Sequence, residues 1–239
     1  MTLPVIHRVT SLDLKVQPWS WPFAEMRRAE IDAHFAGEQA KRPELWNGRV
    51  LVGRNPAFAD GCFRAECFEI DFASFLSWRD WGFPDPSVFN GFGMGALLAN
   101  DGAFVLGEMA DHTANGGRLY FPSGTPDPGD IRGGMLDIAA SIAREMEEET
   151  GLTPADYRAD PYWDCVVSGV SVAIMQRLHV DLSGEELRAR IEANLARQPQ
   201  PELARIHLVR SSGDFTAAMP RFVTAYLEQQ LDIQEGRRP

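Results

Sequence analysis

The sequence has few cysteines, no long hydrophobic run and no excess of positive charge. Its three cysteines, Cys62, Cys67 and Cys165, form no CxxC pair, so a disulfide framework or a structural zinc site is not expected. No apolar run approaches the roughly 20 residues needed to cross a bilayer. The first residues lack the basic region and apolar core of a secretory signal. These absences together predict a cytoplasmic protein.

The formal net charge of the chain is −11 at pH 7. A diffuse negative field repels nucleic acids and anionic lipids, so neither nucleic acid nor a membrane is expected as a partner. A small anionic ligand remains compatible with this charge, provided that cations are concentrated in its site. Apolar residues make up 44 % of the chain and charged residues 24 %, which is typical of a globular protein.

Two prolines divide the chain at FPDPS (83–87), a run that breaks both helix and strand. Residues 1–88 mix strand and helix patterns and are predicted to form an N-terminal α+β extension. Residues 89–239 are predicted to form a second domain. It begins with two strands joined by the turn Asn100-Asp101-Gly102.

A helix is predicted over residues 138–150, with Asp137 as its N-cap and Gly151 just beyond its end. Its last turns contain REMEEET (144–150), in which four residues are glutamates. Negative charge in a last helical turn opposes the helix dipole at a cost of ~0.3–1 kcal/mol. Such a run therefore needs either open solvent or a counter-charge around it.

Three of these glutamates share one face of the helix. Residues three and four apart lie side by side, which groups Glu145, Glu148 and Glu149 and leaves Glu147 elsewhere. Glu149 also lies seven residues after Ile142, so the acidic face continues an apolar stripe and leans toward the protein body. A divalent cation would turn the repulsion between these carboxylates into binding. The alternative is a solvated acidic helix end.

The nine residues REMEEETGL (144–152) resemble the second half of the Nudix box, R-E-U-x-E-E-x-G-U with U apolar, at every fixed position. Upstream, YFPSGTPDPGD (120–130) is similar to the loop of that family, in which a strand ends in an aromatic-Pro-Gly-Gly run. Gly124 matches the first glycine of the box. Asp130 matches its glutamate with a shorter side chain, and Ser123 stands where many members have another glycine.

The spacing departs from the family pattern between the loop and the helix. Thirteen residues, Ile131 to Ala143, follow Asp130 before the Arg-Glu pair, whereas the usual box has seven. An insertion of six residues at 131–136, within a long loop, accounts for the difference, because loops tolerate insertions. The positions on the helix are unaffected.

The resemblance implies an α/β protein with the Nudix α/β/α sandwich, a mixed sheet between helices, which cleaves a nucleoside diphosphate linked to another moiety. It implies that Mg²⁺ or Mn²⁺ is the cofactor. By motif position, the cation would be held by Glu145, Glu148, Glu149 and a backbone carbonyl near Ser123 or Gly124. Arg144 would orient the first glutamate.

The resemblance leaves the general base and the substrate contacts open. Glu148 is one candidate base, and Glu202 is another, because some members take the base from a later loop. The expected partner is a small-molecule nucleotide conjugate, and a homodimer is a family-level expectation. The candidate substrate-binding residues are Arg54, Arg118, Arg132 and Asp130.

The region before the box is similar in order to the UDP-sugar diphosphatase branch of the family. The matching segments are ELWNGRVLVG (44–53), SFLSWRDWG (74–82) and GFGMGALLANDGAFVLGE (91–108). This similarity would imply a UDP-sugar substrate, with its uracil ring against Trp46, Trp81, Phe89 or Phe92. The alternatives are a pyrophosphatase for ADP-ribose, coenzyme A or dinucleotides, and a Nudix-fold binding module without turnover.

Overall fold

The computed structural model describes residues 3–113 and 115–237. Its helices are α1 (Pro22–Met26), α2 (Arg28–Lys41), α3 (Phe72–Asp80), α4 (Ile138–Thr150), α5 (Gly184–Leu195) and α6 (Arg221–Gln234). Its strands are β1 (Val5–Val9), β2 (Ser11–Val16), β3 (Arg49–Ala59), β4 (Cys62–Asp71), β5 (Val88–Ala99), β6 (Phe104–Met109), β7 (Leu119–Tyr120), β8 (Ser123–Gly124), β9 (Ile131–Arg132), β10 (Met135–Leu136), β11 (Arg158–Ala159), β12 (Trp163–Ser168), β13 (Ser171–Val180) and β14 (Leu203–Val209).

Two groups of strands meet at β5. In the larger group, β5 pairs in parallel with β13 and antiparallel with β6. Strands β12 and β1 continue this sheet beyond β13, and β14 continues it beyond β6. The smaller group has the order β3, β4, β2, β10, β9. It joins the larger one where Gly53 and Arg54 of β3 pair with β5.

Helices cover both faces of the larger sheet. On one face α4 and α5 pack through residues such as Ile142 and Ile191. On the other face α6 packs through Val223 and Leu227. Each helix buries an apolar stripe against the sheet. This layering, with parallel and antiparallel pairs in one sheet, confirms the predicted α/β class and its mixed sheet between helices.

Glycines in β5 allow α4 to approach the sheet closely. A Cβ atom built on Gly93 would lie 2.7 Å from Cγ1 of Ile142, and one built on Gly95 would lie 2.7 Å from Sδ of Met146. Real Cβ atoms do not come this close to neighbouring atoms. The glycines of this strand therefore set the distance between the sheet and the helix that carries the glutamates.

Gly95→Ala is expected to lower the free energy of unfolding by about 1–3 kcal/mol, because the added methyl overpacks the interface with Met146. Gly37→Ala is the matched control, since it lies within α2 and its new methyl has no heavy atom within 4 Å. That change should raise the stability by up to about 1 kcal/mol through helix propensity. Urea denaturation measures both values. Stabilisation by both substitutions would contradict the packing role of Gly95.

The N-terminal residues form a core of their own around Ile31, Phe68 and Trp78. Three strand pairs nevertheless cross the predicted division at residue 88. Strand β1 pairs with β12, β10 pairs with β2, and Gly53 of β3 pairs with Phe89 of β5. The division into 1–88 and 89–239 therefore stays a prediction, with strand pairing across it at all three places.

Residues 131–136, predicted to be an insertion within a long loop, form a β-hairpin instead of a loop without strands. Strands β9 and β10 pair with each other, and Gly133 and Gly134 between them have φ values of +57° and +79°. Two successive positive φ values favour glycine, which is why this short turn is possible here. Met135 then pairs with Lys15 of β2. Through this pairing, the β9–β10 hairpin connects the chain segment before α4 to the N-terminal strands.

All three cysteines are free and buried. Burial raises the pKa of Cys67 to about 12, and burial with the nearby Asp164 charge raises that of Cys165 to about 12. These two thiols stay protonated and act as small apolar side chains. Within residues 3–113 and 115–237, no helix combines the length and the apolar character needed to cross a membrane.

Candidate active site

Helix α4 begins and ends at the predicted residues. The Asp137 side chain accepts a hydrogen bond from the backbone N–H of Ala140 at 3.0 Å. Gly151 closes the helix with φ +73°, a value that favours glycine. These caps fix the turns that carry the glutamates, and they are local to the helix.

Two of the clustered glutamates are buried and the third is exposed. Glu145 is 9 % exposed and Glu149 is 4 % exposed, whereas the Glu148 side chain is 60 % exposed. Glu147 is exposed as well. The prediction that the acidic face points toward the protein body is therefore correct for the Glu145 and Glu149 side chains. It is wrong for Glu148, which lies on the outer flank of the face.

Burial changes the protonation of both inward glutamates. It raises the pKa of Glu145 to about 7, against the opposing effect of the Arg144 charge. The pKa of Glu149 is raised well above its ordinary value, first by burial and then by the charges of Glu145 and Glu202. A hydrogen bond from the backbone N–H of Ser123 lowers it in part. A bound cation would relieve this unfavourable grouping of carboxylates.

Arg144 connects these glutamates to the segment before the helix. Its Nη1 donates to Glu145 Oε1 at 2.7 Å and to Glu148 Oε2 at 3.3 Å. Its Nη2 donates to the two carboxylate oxygens of Asp130 at 3.3 and 3.2 Å. The contact with Glu145 is the one that the motif assigns to this arginine.

Asp130 lies behind Arg144 and is only 2 % exposed. Its Oδ2 also accepts hydrogen bonds from Ser141 Oγ and from the backbone N–H of Asp127, each at 3.1 Å. A carboxylate enclosed in this way holds the arginine and does not face a ligand. This corrects the assignment of Asp130 to substrate binding, which rested on its charge and its place in the loop.

Strand β8 brings the loop backbone against the acidic residues. Gly124 pairs with Gly93 of β5, and a Cβ atom on Gly124 would collide with the Glu145 carboxylate. A residue with any side chain would therefore push Glu145 away. The glycine of the motif is required here by a close approach of carboxylate and backbone.

The donor atoms suit a hard divalent cation. Mg²⁺ and Mn²⁺ prefer carboxylate and carbonyl oxygens, and the buried Glu145 and Glu149 adjoin the backbone of Ser123 and Gly124. In the part of the chain that the structure describes, no three His, Cys, Asp or Glu side chains are close enough to hold an ion as they stand. Binding a cation therefore requires a side chain to turn, and the exposed Glu148 has the room to do so.

Gly124→Ala is expected to weaken Mn²⁺ binding by about 10- to 100-fold, the loss typical when a ligand is no longer held in place. The reason is the collision of the new methyl with Glu145. Titration calorimetry with Mn²⁺ alone measures the affinity, with Gly37→Ala as a glycine control remote from the glutamates. Wild-type affinity in Gly124→Ala would contradict the role of the close approach.

Glu202 adds a further carboxylate from the segment before β14. It is exposed, and its charge raises the pKa of both Glu145 and Glu149. Its backbone carbonyl accepts a hydrogen bond from the N–H of Ala110 at 2.8 Å, which holds the segment against the end of β6. The fold thus brings Glu202 near α4 across a long stretch of sequence.

The three predicted phosphate-binding arginines are not gathered around the glutamates. Arg54 forms an ion pair with Glu66, and Arg132 donates to the backbone carbonyls of Gly129 and Ile131. Arg118 is exposed just before β7. None of the three is among the main charges acting on Glu145 or Glu149. Their role in binding stays a prediction.

A cavity of about 230 Å³ lies beside β8. Ser123 and Gly124 line it, and they are the residues whose backbone meets the buried glutamates. Its aromatic lining residues are Phe75, Phe83, Phe92, Tyr120 and Phe222. The sequence did not predict this aromatic group, because its members are scattered along the chain between α3 and α6 and have no common spacing.

The four aromatic residues predicted to contact a base have different positions. Phe92 lines the cavity. Phe89 is buried in the main core, Trp81 packs under Arg27, and Trp46 is exposed. Phe92 is therefore the one whose place suits the prediction.

No family model matches the sequence, and no curated protein matches it significantly. Similar solved structures include RenU, a Nudix hydrolase from M. smegmatis, at 15 % identity and a TM-score of 0.40, covering 64 % of this chain and 91 % of RenU. The MutT protein from Methanosarcina mazei Go1 has 15 % identity and a TM-score of 0.35, and the match covers 63 % of this chain and 96 % of the MutT chain.

A third similar structure is a bifunctional NMN adenylyltransferase/ADP ribose pyrophosphatase from Francisella tularensis, solved with AMP and a manganese ion. It has 13 % identity and a TM-score of 0.37, and the match covers 65 % of this chain and 45 % of that one. Nudix hydrolases are thus among the solved structures to which this chain is similar, and Nudix is also the family whose box residues 144–152 resemble.

Proposed function

We propose that this protein is a Nudix-type hydrolase that uses Mg²⁺ or Mn²⁺ to cleave the diphosphate linkage of a nucleoside diphosphate conjugate. The observation that carries the proposal is the pair of buried carboxylates, Glu145 and Glu149, against the backbone of Ser123 and Gly124. A purely structural helix end would leave such carboxylates in solvent, because burying two like charges side by side is costly.

The chain supplies the ligands for the cation and the groups that position them. Glu145 and Glu149 would hold it, together with Glu148 after rotation and a backbone carbonyl of Ser123 or Gly124. When bound, the cation neutralises the negative oxygens of a diphosphate and makes an attacking water more acidic. Arg144 keeps Glu145 in orientation, which suits a reaction that depends mainly on positioning and charge stabilisation.

Deprotonation of the attacking water needs a carboxylate that reaches solvent. Glu148 and Glu202 are both exposed and close to the buried pair. Arg144 donates a hydrogen bond to Glu148, which competes with the proton that a base has to accept. We therefore favour Glu202 as the general base and Glu148 as a cation ligand.

The experiment is a turnover assay on UDP-glucose, ADP-ribose and coenzyme A with Mg²⁺ or Mn²⁺, with release of the phosphorylated products measured. We expect cation-dependent turnover of at least one conjugate, abolished by EDTA. Glu202→Gln should lower kcat by about 10²- to 10⁴-fold, the usual contribution of a general base, while Mn²⁺ binding is retained. The control is Glu147→Gln, which should leave kcat unchanged. Absence of turnover with every conjugate and cation would favour the binding module instead.

The finer proposal is a UDP-sugar substrate, supported by the order of the segments before the box. Preference for UDP-glucose over ADP-ribose and coenzyme A in the same assay would agree with it. Preference for either of the other conjugates would contradict the UDP-sugar assignment and leave the hydrolase proposal standing.

A further inference from the structure

We propose that the cavity beside Gly124 binds the base of the nucleotide conjugate, with the base stacked on a wall formed by Phe92, Tyr120 and Phe222. This inference rests on the proposed function, because it names the part of the substrate that the site recognises. At about 230 Å³, the cavity is smaller than the roughly 300–1,000 Å³ typical of pockets for drug-sized ligands. It therefore suits one ring system and not a whole conjugate.

The three rings form a continuous wall, here called the aromatic wall. The ring centroids of Tyr120 and Phe222 are 6.2 Å apart with an interplanar angle of 21°. Phe92 meets Phe222 edge-on at 5.6 Å. A third ring between Tyr120 and Phe222 would need roughly 7 Å, twice the contact distance of carbon atoms. A base therefore lies against the wall and not between its rings, and such stacking is worth ~1–3 kcal/mol.

Asn90 supplies a polar group at the same cavity. It lies on β5 and lines the cavity, and its Oδ1 is a buried acceptor with no hydrogen-bond partner in the described part of the chain. An unsatisfied buried acceptor costs ~1–3 kcal/mol. After a small turn of the amide, an N–H on the edge of a base satisfies it. A nucleobase offers both this edge and a flat face, whereas a sugar has no flat face.

Phe83 also lines the cavity and has an unusual backbone. Its φ is +60°, a region that bulky residues rarely adopt. Such a conformation persists only where the surrounding structure imposes it, and it is concentrated at binding sites and active sites. The positive φ of Phe83 therefore lies at the lining of the proposed base site.

The cavity and the glutamates share the backbone of β8. Ser123 and Gly124 line the cavity, Ser123 donates its N–H to Glu149, and Gly124 lies against Glu145. A base in the cavity would therefore touch the same two residues that contact the glutamates. The ribose and the diphosphate of the same molecule follow toward the glutamates.

The binding experiment compares UMP and AMP with ribose 5-phosphate by calorimetric titration in the presence of Mn²⁺. Wild-type protein should bind at least one of the two nucleotides about 10-fold or more tightly than the base-free phosphate. Phe222→Ala should weaken binding of that nucleotide about 5- to 150-fold, the fold-change equivalent to ~1–3 kcal/mol of stacking. It should leave ribose 5-phosphate unchanged. Equal losses for both ligands, or no loss for the nucleotide, would overturn the proposal.

Two further variants separate stacking from folding. Phe222→Trp keeps an aromatic face and should retain nucleotide binding. Phe215→Ala removes a partly buried ring that packs on the same core but does not line the cavity, so it should leave nucleotide binding unchanged. Melting temperatures report whether each variant is folded. Loss of binding in both alanine variants would assign the effect to packing and overturn the base site.

Phosphoribosyl diphosphate, which has a diphosphate but no base, separates this inference from the proposed function. If wild-type protein hydrolyses neither it nor any nucleotide conjugate, the proposed function fails, while the titrations still decide the base site. If conjugates are hydrolysed and Phe222→Ala lowers kcat/KM equally for both kinds of substrate, the base assignment fails and the function stands. We expect the loss to be confined to substrates that have a base.

Discussion

Glu149→Gln is expected to lower the cation-dependent kcat by about 10²- to 10³-fold and to stabilise the protein when no cation is present. The glutamine still accepts the hydrogen bond from the Ser123 N–H. Because the glutamine is uncharged, neither its burial nor the Glu145 and Glu202 carboxylates disfavour it. Relief of an unfavourable buried group of this kind is worth on the order of 1–3 kcal/mol. A single substitution should thus raise stability and remove activity.

The stabilisation depends on pH in a defined direction. In the unfolded chain the Glu149 carboxyl ionises near its ordinary pKa of 4.5, whereas in the fold the pKa lies well above this value. Below pH 4.5 both states keep the proton, and the charge causes no loss of stability. As the pH rises from 4.5 to the folded-state pKa, the unfolded state loses its proton first and wild-type stability falls. The advantage of Glu149→Gln should therefore grow over this range.

Urea unfolding between pH 4 and pH 9 in EDTA measures this advantage. Glu147→Gln is the matched control, because it makes the same change on the exposed side of the same helix, and it should alter neither kcat nor stability. Added Mn²⁺ should raise the Tm of wild-type protein and not that of Glu149→Gln. A variant that is less stable than wild type at pH 8 without cation would contradict the buried-charge explanation. Unchanged kcat would contradict the ligand role.

Arg144→Ala is expected to lower the free energy of unfolding by about 2 kcal/mol and kcat by about 10²-fold. Asp130 would keep its hydrogen bonds from Ser141 and Asp127 but lose its cationic partner. Removing one partner of a fully buried ion pair costs ~3–5 kcal/mol. The smaller value is expected here because the Arg144 side chain is 37 % exposed. The loss of kcat follows from the loss of the donor that orients Glu145.

The double variant Arg144→Ala with Asp130→Asn separates the two effects. A neutral amide needs no counter-charge, so most of the stability should return, while kcat should remain low. Urea unfolding and cation-dependent turnover measure the two quantities. Arg188→Ala is a control for the loss of a surface ion pair, here with Glu185, and should cost no more than about 1 kcal/mol. If the double variant were as unstable as Arg144→Ala, Asp130 would not be the source of the instability.

The helix that carries the glutamates could be predicted fully because its determinants are local. Asp137 and Gly151 lie within one turn of its ends, and the angular grouping of Glu145, Glu148 and Glu149 follows from helical geometry alone. The start of α5 is equally local, since Ser183 and Glu186, three residues apart, form a capping box. The α/β class, by contrast, was implied by the resemblance of residues 144–152 to the Nudix box.

Burial of the individual glutamates could not be predicted in this way. The helix geometry places three carboxylates on one face, but in the fold Glu145 and Glu149 are buried beside β8 while Glu148 stays exposed. The role of Asp130 could not be predicted for a similar reason. Its partner Arg144 is fourteen residues away. The hairpin between them is positioned by its pairing with a distant strand, β2.

The sequence by itself determined the helix, its caps, the shared face of the glutamates and the close match of residues 144–152 to the Nudix box. Only the tertiary structure decided which carboxylates are buried, that Asp130 holds Arg144, and that Phe92, Tyr120 and Phe222 form one wall. The physical reason is the range of the interactions. Periodicity and capping act within a few residues, whereas burial and cavities arise where distant segments pack together.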